Sequence, residues 1–256
     1  MFAISRIAEL LAPRWLWRRR AREWLGDEGE RELTLIPFLC QPAKTSIDVG
    51  AFMGVYVIHM LGHSQDCVAF EPRTAAAQEL RRVFRRASVR IEQCALSEDD
   101  GEATFREPLC DAGRSTLADS NPLEGMGDVN TQSVSTRRLD SYGFANVGFI
   151  KIDVEGHELA VLKGALSTIE RNHPALLIEI EERHRPGGLA AVRDLLEPHG
   201  YRGSFLDGKS LIPISQLPPE SQDPARAGSI GYINNFLFLR PEHQARFVNG
   251  MSARGK

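Results

Sequence analysis

The feature that most constrains the fold of this 256-residue chain is a regular alternation of short apolar runs with helical patterns. Strand patterns lie at 46–49, 67–70, 89–94, 148–152, 175–180, 201–206 and 236–239, and helical patterns lie at 54–61, 74–86, 158–171 and 189–197. This spacing predicts an α/β fold with a doubly wound, seven-stranded and mostly parallel sheet that has helices on both faces. The stretches 97–127 and 213–228 are rich in Gly, Pro and polar residues and predict mostly irregular structure.

Composition excludes several classes of protein. Apolar residues make up 42% of the chain and charged residues 25%, as in a globular domain and unlike a disordered chain. The net charge of −3 argues against a nucleic-acid partner held by the charge of the whole protein. The longest apolar run, 49–61, is too short to span a membrane and contains His59. The four cysteines show no C-x-x-C spacing, so a reducing, cytoplasmic location is expected.

The first 32 residues differ from the rest, because they hold all three tryptophans and a run of five arginines between positions 14 and 22. A helix here would have one face formed by Trp17, Ala21, Trp24 and Leu25, and a stripe of arginines would lie beside that face. Such a helix suits peripheral contact with an anionic membrane through residues 13–25, or it packs on the domain with its arginines exposed. We therefore expect an N-terminal helical arm at 1–32 and one domain at 33–256.

A glycine-rich turn, Gly50-Ala51-Phe52-Met53-Gly54, follows the first predicted strand. Ligands of open parallel sheets bind outside the carboxyl ends of the strands, and the two glycines would let the backbone approach a ligand closely. Phe52 stands where a dinucleotide-binding turn needs a glycine, so a ligand with an adenosine and no pyrophosphate fits better. Glu71 ends the second strand and can accept hydrogen bonds from both ribose hydroxyls. Structural glycines and a surface acid remain the alternative.

These residues resemble class I S-adenosylmethionine-dependent methyltransferases, and a second motif narrows the resemblance. The segment 149–158, Phe-Ile-Lys-Ile-Asp-Val-Glu-Gly-His-Glu, with Val-Leu-Lys-Gly-Ala at 161–165, is similar to the K-I-D-V-E-G-x-E-x-x-V-L-x-G-A signature of the FkbM family. The resemblance covers roughly 47–239. It implies a Rossmann-like methyltransferase with S-adenosylmethionine as cofactor and an O-methyl acceptor among sugars, glycans or natural-product intermediates. The family usually has Asn where Phe52 stands and a small residue where His157 stands.

The resemblance also implies site residues. The residues expected to bind the cofactor follow the first three strands: Asp48, Gly50, Ala51, Gly54, Glu71, Cys94 and Ala95. A hydroxyl acceptor needs a base beside the methyl group, because a neutral alkyl hydroxyl is a poor nucleophile. The catalytic candidates follow the fourth strand: Lys151, Asp153, Glu155 and His157.

Their expected roles differ. Asp153 is preferred as the base or as the acceptor-binding residue, because it lies nearest the strand end, with a helix N-cap as its alternative role. Glu155 would cap the helix or hold an acceptor hydroxyl. His157 titrates near neutral pH and is either the base or a surface residue. Lys151 is expected to neutralise these acids rather than to react.

The acids also suit a divalent ion, held by Asp153 with Glu179 or Glu181, and His59 and His63 have the spacing of a zinc pair. Neither set is complete, so no metal is expected.

Two rival functions remain open. One is a Rossmann oxidoreductase that uses a nicotinamide cofactor, which Phe52 disfavours. The other is a methyltransferase-like domain without turnover that serves as an interaction module at a membrane surface.

Overall fold

The computed structural model describes residues 31–208, 210–227, 229 and 231–254, with side chains as far as residue 247. The strands are β1 (Thr45–Val49), β2 (Asp66–Phe70), β3 (Val89–Glu92), β4 (Ala95–Leu96), β5 (Gly101–Pro108), β6 (Val129–Arg137), β7 (Val147–Ile152), β8 (Ala175–Glu179), β9 (Arg202–Asp207), β10 (Ser210–Pro213) and β11 (Asn235–Leu239). The α-helices are α1 (Ile36–Leu39), α2 (Val55–Met60), α3 (Thr74–Phe84), α4 (Glu158–Lys163), α5 (Leu166–Asn172), α6 (Gly188–Leu196) and α7 (Pro241–Arg254). Short 3₁₀ segments lie at Arg31–Leu35, Ala112–Arg114, Leu139–Tyr142, Glu197–His199, Ile214–Gln216, Pro219–Gln222 and Pro224–Arg226.

The main sheet has the order β10-β9-β11-β8-β7-β1-β2-β3. Pairing is parallel from β8 to β3, while β11 and β10 run antiparallel to their neighbours. Helices cover both faces: α4, α5 and α6 supply buried residues to one face, and α1, α2, α3 and α7 supply them to the other. The predicted doubly wound, mostly parallel sheet is confirmed. It has eight strands rather than seven, because β10 is a four-residue edge strand too short to leave a periodic pattern.

The middle of the chain differs from the sequence prediction in two places. The stretch 97–127, expected to be mostly irregular, contains β5, which pairs antiparallel with β6 in a second sheet of three strands. Only a small apolar cluster, Ala95, Phe105 and Val134, packs within this sheet, so the pattern is too weak to read from the sequence. The single helix expected at 158–171 is two helices, because the chain turns at Gly164, whose position would put a Cβ only 2.0 Å from the Ser97 carbonyl oxygen.

The crossover of the chain positions the site. From β1 the chain passes to β2 and β3 on one side, and it later returns to β7 on the other side. Val49 of β1 pairs with Ile152 of β7, so the loops that follow these two strands leave the sheet side by side. A crevice opens where the strand order reverses in this way, and it is the usual place for a ligand.

The predicted arm, with its membrane-contacting segment 13–25, lies outside the described residues, except for its last two positions. There the 3₁₀ segment Arg31–Leu35 begins, and it buries Leu33 and Leu35. The division at residue 32 therefore stays a prediction. Within the described part of the chain, no helix has both the length and the apolarity of a membrane span.

Candidate active site

A pocket of about 650 Å³, partly open to solvent, lies in this crevice between the main sheet and the second sheet. The lining residues come from the carboxyl ends of β1, β2, β3 and β7 and from the second sheet and its loop: Val49, Gly50, Phe52, Phe70, Glu71, Pro72, Arg73, Cys94, Ala95, Leu96, Phe105, Ala112, Gly113, Ser115, Leu117, Asp153, Val154, Glu155 and His157. Seven residues of the predicted site line this pocket: Gly50, Glu71, Cys94, Ala95, Asp153, Glu155 and His157.

The glycines of the first turn are required by protein packing. Gly50 has φ +82°, and a Cβ there would lie 1.8 Å from the carbonyl oxygen of Asp153. Gly54 has φ +76°, and a Cβ there would meet Leu80 and Phe84 of α3 at 2.7 and 2.8 Å. Close packing of the turn against the β7 loop and α3 therefore requires these glycines, and their close approach to a ligand stays a prediction. The first contact fixes Asp153 at the edge of the pocket.

Glu71 is buried at the end of β2, and its carboxylate is already fully engaged. Oε1 accepts from the backbone N–H and from Nε of Arg73, at 2.9 and 2.8 Å. Oε2 accepts from the backbone N–H of Phe52 at 2.9 Å and from Nη2 of Arg73 at 3.1 Å. A carboxylate has about four lone-pair directions, so these four bonds occupy all of them. A ligand hydroxyl can bind Glu71 only by replacing one of these donors.

Phe52, which departs from the family pattern, forms part of the same arrangement. Its backbone has φ +45°, and its ring lies under the guanidinium of Arg73, 4.6 Å from the ring centroid. Arg73 also donates through Nη1 to the carbonyl oxygen of Ala112 at 2.6 Å. Arg73 thus connects the first turn, the acid of β2 and the loop of the second sheet.

The other expected cofactor residues divide into two groups. Cys94 and Ala95 line the pocket beyond β3, and burial raises the pKa of the Cys94 thiol, which lies 3.4 Å from the Tyr142 hydroxyl. Asp48, Ala51 and Gly54 are not among the described lining residues. Asp48 is buried in β1 beside its register partner on β7, on the face opposite Val49.

Lys151 of β7, the register partner of Asp48, is completely buried beneath the pocket. Its ammonium lies 3.7 Å from a carboxylate oxygen of Asp153 and 3.7 Å from one of Glu179. It is also 3.4 Å from Oδ1 of Asn235 and 5.0 Å from the ring centroid of Tyr56. These contacts support the neutralising role expected for Lys151.

The loop after β7 carries the remaining candidates. Helix α4 begins at Glu158 with His157 as its N-cap, and no side chain caps it there, so the capping roles considered for Asp153 and Glu155 are wrong. Glu155 has φ +55°, and its carbonyl oxygen accepts from Oγ1 of Thr116 and Nδ2 of Asn121 at 2.8 and 2.9 Å. The loop of the second sheet therefore holds this backbone in place.

His157 is half-buried in the pocket wall rather than on the surface. Its Nε2 lies 3.0 Å from the hydroxyl oxygen of Ser97, in the segment that follows β4. Burial lowers the pKa of His157, so the neutral imidazole predominates at pH 7. A neutral imidazole at this place can accept a proton, with Ser97 orienting the ring.

The match to a known family decides what kind of domain contains this pocket. Residues 48–202, more than half of the chain, match the family described as the methyltransferase FkbM domain. The chain belongs to the methyltransferase FkbM family. The matched segment of the FkbM domain runs from the end of β1 to the start of β9, so it contains every described residue that lines the pocket.

Two relatives of this FkbM domain have curated names. The chain is 27% identical over 194 residues to the 31-O-demethyl-FK506 methyltransferase FkbM of Streptomyces tacrolimicus, covering 63% of this chain and 74% of that protein. It is 25% identical over 182 residues to methyltransferase 1 of Beauveria bassiana, covering 60% of this chain and 71% of that protein. The crystal structure of a methyltransferase FkbM from Methylobacillus flagellatus superposes with a TM-score of 0.52 at 19% identity. That match covers 77% of this chain and 44% of the solved one, so it supports the fold alone.

Two residues of the candidate site, Arg73 and Ser97, were missed from the sequence. Arg73 is the only arginine or lysine among the described residues of the pocket wall, and it follows the acid Glu71 by two positions. This short spacing between a positive and a negative side chain was the signal in the sequence that could have identified Arg73. Ser97 had no such signal, because the contact with His157 joins residues 60 positions apart.

Glu158 offers a test of the electrostatics in this loop. It is buried in the first turn of α4, accepts from the Gly156 N–H at 2.8 Å, and has its pKa raised by burial to about 7. Because this lies above the unfolded-state value near 4.5, the stability contributed by protonated Glu158 is present in acid and is lost as pH rises towards 7. As the pH rises from about 4.5 to 8, we expect the free energy of unfolding of Glu158→Gln to increase by about 3 kcal/mol relative to that of wild type. Thermal unfolding of both proteins across this range measures the difference, and a pH-independent difference would contradict the prediction.

Proposed function

We propose that this protein is an S-adenosylmethionine-dependent O-methyltransferase whose acceptor is a hydroxyl of a sugar, glycan or natural-product intermediate. The observation that supports the proposal is that Glu71 and Asp153 line one pocket at the point where the strand order reverses. In this proposal Glu71 binds the ribose diol and Asp153 binds the acceptor hydroxyl. The family membership supports methyl transfer over the nicotinamide-dependent alternative. The name of the Streptomyces relative, which specifies methylation at an oxygen, supports a hydroxyl acceptor.

The residues present fit the cofactor. The apolar segment Cys94–Leu96 lies at the end of β3, where an adenine would stack against Phe70 or Leu96. Glu71 fits the ribose on one condition: Arg73 must release one or two of its bonds to the carboxylate.

When bound, S-adenosylmethionine supplies an activated methyl carbon on its sulfonium sulfur. The residues of this chain would then position the acceptor and remove its proton. Asp153 is the preferred base, because its carboxylate lines the pocket and is part-exposed, while Lys151 keeps it anchored from below. His157 is the second candidate, since its imidazole also lines the pocket and is neutral.

Two variants test whether Glu71 contacts the bound cofactor. We expect Arg73→Ala to bind S-adenosylmethionine at least as tightly as wild type, because no bond to Glu71 then has to be displaced. Adding Glu71→Ala in that background should weaken binding about tenfold to a hundredfold, which corresponds to roughly 1.5–3 kcal/mol for a charge-assisted contact. Using the Arg73→Ala background avoids leaving a buried arginine without its acid. Isothermal titration calorimetry gives both affinities, and equal affinities in the two variants would show that Glu71 supports the loop only.

The acceptor is sought with tritiated methyl groups. We expect transfer to at least one class in a panel of free sugars, lipid-linked glycans and macrolactones with free hydroxyls. Cofactor binding with no transfer to any of these would favour the interaction module without turnover. A cytoplasmic location, peripheral contact of residues 13–25 with anionic membrane, and the lack of a nucleic-acid partner stay predictions.

A further inference from the structure

Three side chains meet beside the pocket, between the loops that follow β7 and β8. They are Glu155 of the β7 loop and Glu181 and His184 of the β8 loop, and one possible ligand atom of each lies within 4.8 Å of the other two. We propose that this cluster, Glu155–Glu181–His184, binds a divalent transition-metal cation such as Mn²⁺, Fe²⁺ or Zn²⁺. This ligand set differs from the pairs considered from the sequence, in which Asp153 was to be a ligand.

Glu155 and His184 are in contact without forming a hydrogen bond. Oε2 of Glu155 lies 3.2 Å from Nδ1 of His184, inside the protein and shielded from solvent. Nevertheless, Oε2 has no hydrogen-bond partner among the described residues. A buried carboxylate oxygen without a donor is costly. A cation placed between the oxygen and nitrogen lone pairs removes that cost.

The electrostatics of the three groups suit a cation. Burial lowers the pKa of His184 to about 4, so its imidazole is neutral at pH 7 and retains a lone pair for a metal. Burial, and next the charges of Asp153 and Glu181, raise the pKa of Glu155 well above its ordinary value. A divalent ion would reverse this effect by stabilising the carboxylate.

Glu181 already has partners, and they leave room for one more. Oε2 accepts from Nε of Arg183 and from the Tyr232 hydroxyl, both at 2.5 Å, and Oε1 accepts from Nη2 of Arg183 at 2.7 Å. Three of about four lone-pair directions are therefore used, and one on Oε1 remains. These bonds orient the carboxylate, as outer partners do for metal ligands generally. The positive charge of Arg183 offsets the negative charge of one of the two acids. The site therefore favours a cation that coordinates the imidazole over one held by charge alone.

The donor set also narrows the choice of ion. One imidazole nitrogen and two carboxylates suit Mn²⁺, Fe²⁺ or Zn²⁺ better than Mg²⁺ or Ca²⁺, which prefer oxygen alone. The ligands are held closely together, since a Cβ at Gly156 would lie 3.1 Å from Cβ of His184. Glu155 also lines the pocket, so the cation would lie on its acceptor side. Only this last consequence, polarisation of an acceptor hydroxyl, rests on the proposed function.

The test is a titration of chelator-treated full-length protein with Mn²⁺ alone, without S-adenosylmethionine. We expect calorimetry to give one Mn²⁺ per chain, with affinity reduced at least tenfold in His184→Ala and in Glu155→Gln. Electron spin-echo spectroscopy of bound Mn²⁺ should show coupling to an imidazole nitrogen that disappears in His184→Ala. Thermal unfolding verifies that each variant is folded, and the conservative Glu155→Gln decides the matter if His184→Ala is not.

The matched control is His199→Ala. Nδ1 of His199 lies 3.0 Å from a carboxylate oxygen of Glu170, in a groove at the amino ends of β8 and β9, at the other edge of the sheet. This variant should leave Mn²⁺ binding unchanged. The proposal is overturned if folded wild type binds neither Mn²⁺ nor Zn²⁺ stoichiometrically, or if the cluster variants bind as wild type does. Because no methyl transfer is measured, either outcome is independent of the proposed enzymatic activity.

Discussion

Replacing Lys151 by methionine is expected to lower the free energy of unfolding by about 3–5 kcal/mol, the usual cost of removing one partner from a buried charge pair. The ammonium is fully buried and lies 3.7 Å from a carboxylate oxygen of Asp153 and 3.7 Å from one of Glu179. Methionine fills a similar volume, so the loss arises from the charge. The partly buried carboxylates of Asp153 and Glu179 would then remain without their cation.

Chemical denaturation of the ligand-free protein measures this loss. The matched control is Lys163→Met, because Lys163 makes a 2.8 Å ion pair with Glu98 in which both side chains are 47% exposed. An exposed pair of this kind contributes less than about 1 kcal/mol. Restoring electroneutrality should rescue the buried site: in an Asp153→Asn, Glu179→Gln background, Lys151→Met should cost much less. An equal loss in that background would mean that the destabilisation by Lys151→Met comes from packing and not from charge.

The sequence predicted the centre of the fold better than its periphery. The run at 175–180 became β8, and β7 at 147–152 is buried at all six positions, because parallel strands covered by helices on both faces must be apolar throughout. Strands β5 and β6 have one exposed face, and they bury little more than Phe105 and Val134. A periodicity argument therefore had too few apolar residues to work with there. The edge strand β10 was not predicted from the sequence for the same reason.

The candidate site could be predicted where it depended on the ends of strands. Glu71, Asp153 and His157 line one pocket because parallel strands deliver their following loops to one edge of the sheet. Contacts between distant segments could not be predicted in this way. The bond from Arg73 to the carbonyl oxygen of Ala112 spans 39 positions, and it exists only because the second sheet folds over the first turn. The face on which Asp48 lies likewise follows from the register of β1.

The second large effect is expected at the pocket itself. Replacing Asp153 by asparagine should lower the rate of methyl transfer about a hundredfold to ten-thousandfold, the usual contribution of a general base. Asparagine has the shape of aspartate but cannot accept the acceptor's proton. Because the turn contact at Gly50 involves the backbone of residue 153, the substitution leaves that contact intact. Cofactor affinity should therefore change by less than about threefold.

The rate is measured in single turnovers with tritiated cofactor and the best acceptor of the panel. His157→Asn is the decisive comparison, since its imidazole also lines the pocket and is neutral at pH 7. If Asp153 is the base, His157→Asn loses less than about tenfold, because it removes only a neighbouring polar group. Glu170→Gln, at the opposite edge of the sheet, should leave the rate unchanged. A variant Asp153→Asn that retains the rate while His157→Asn loses a hundredfold would transfer the role of base to His157, with Ser97, 3.0 Å away, as its orienting partner.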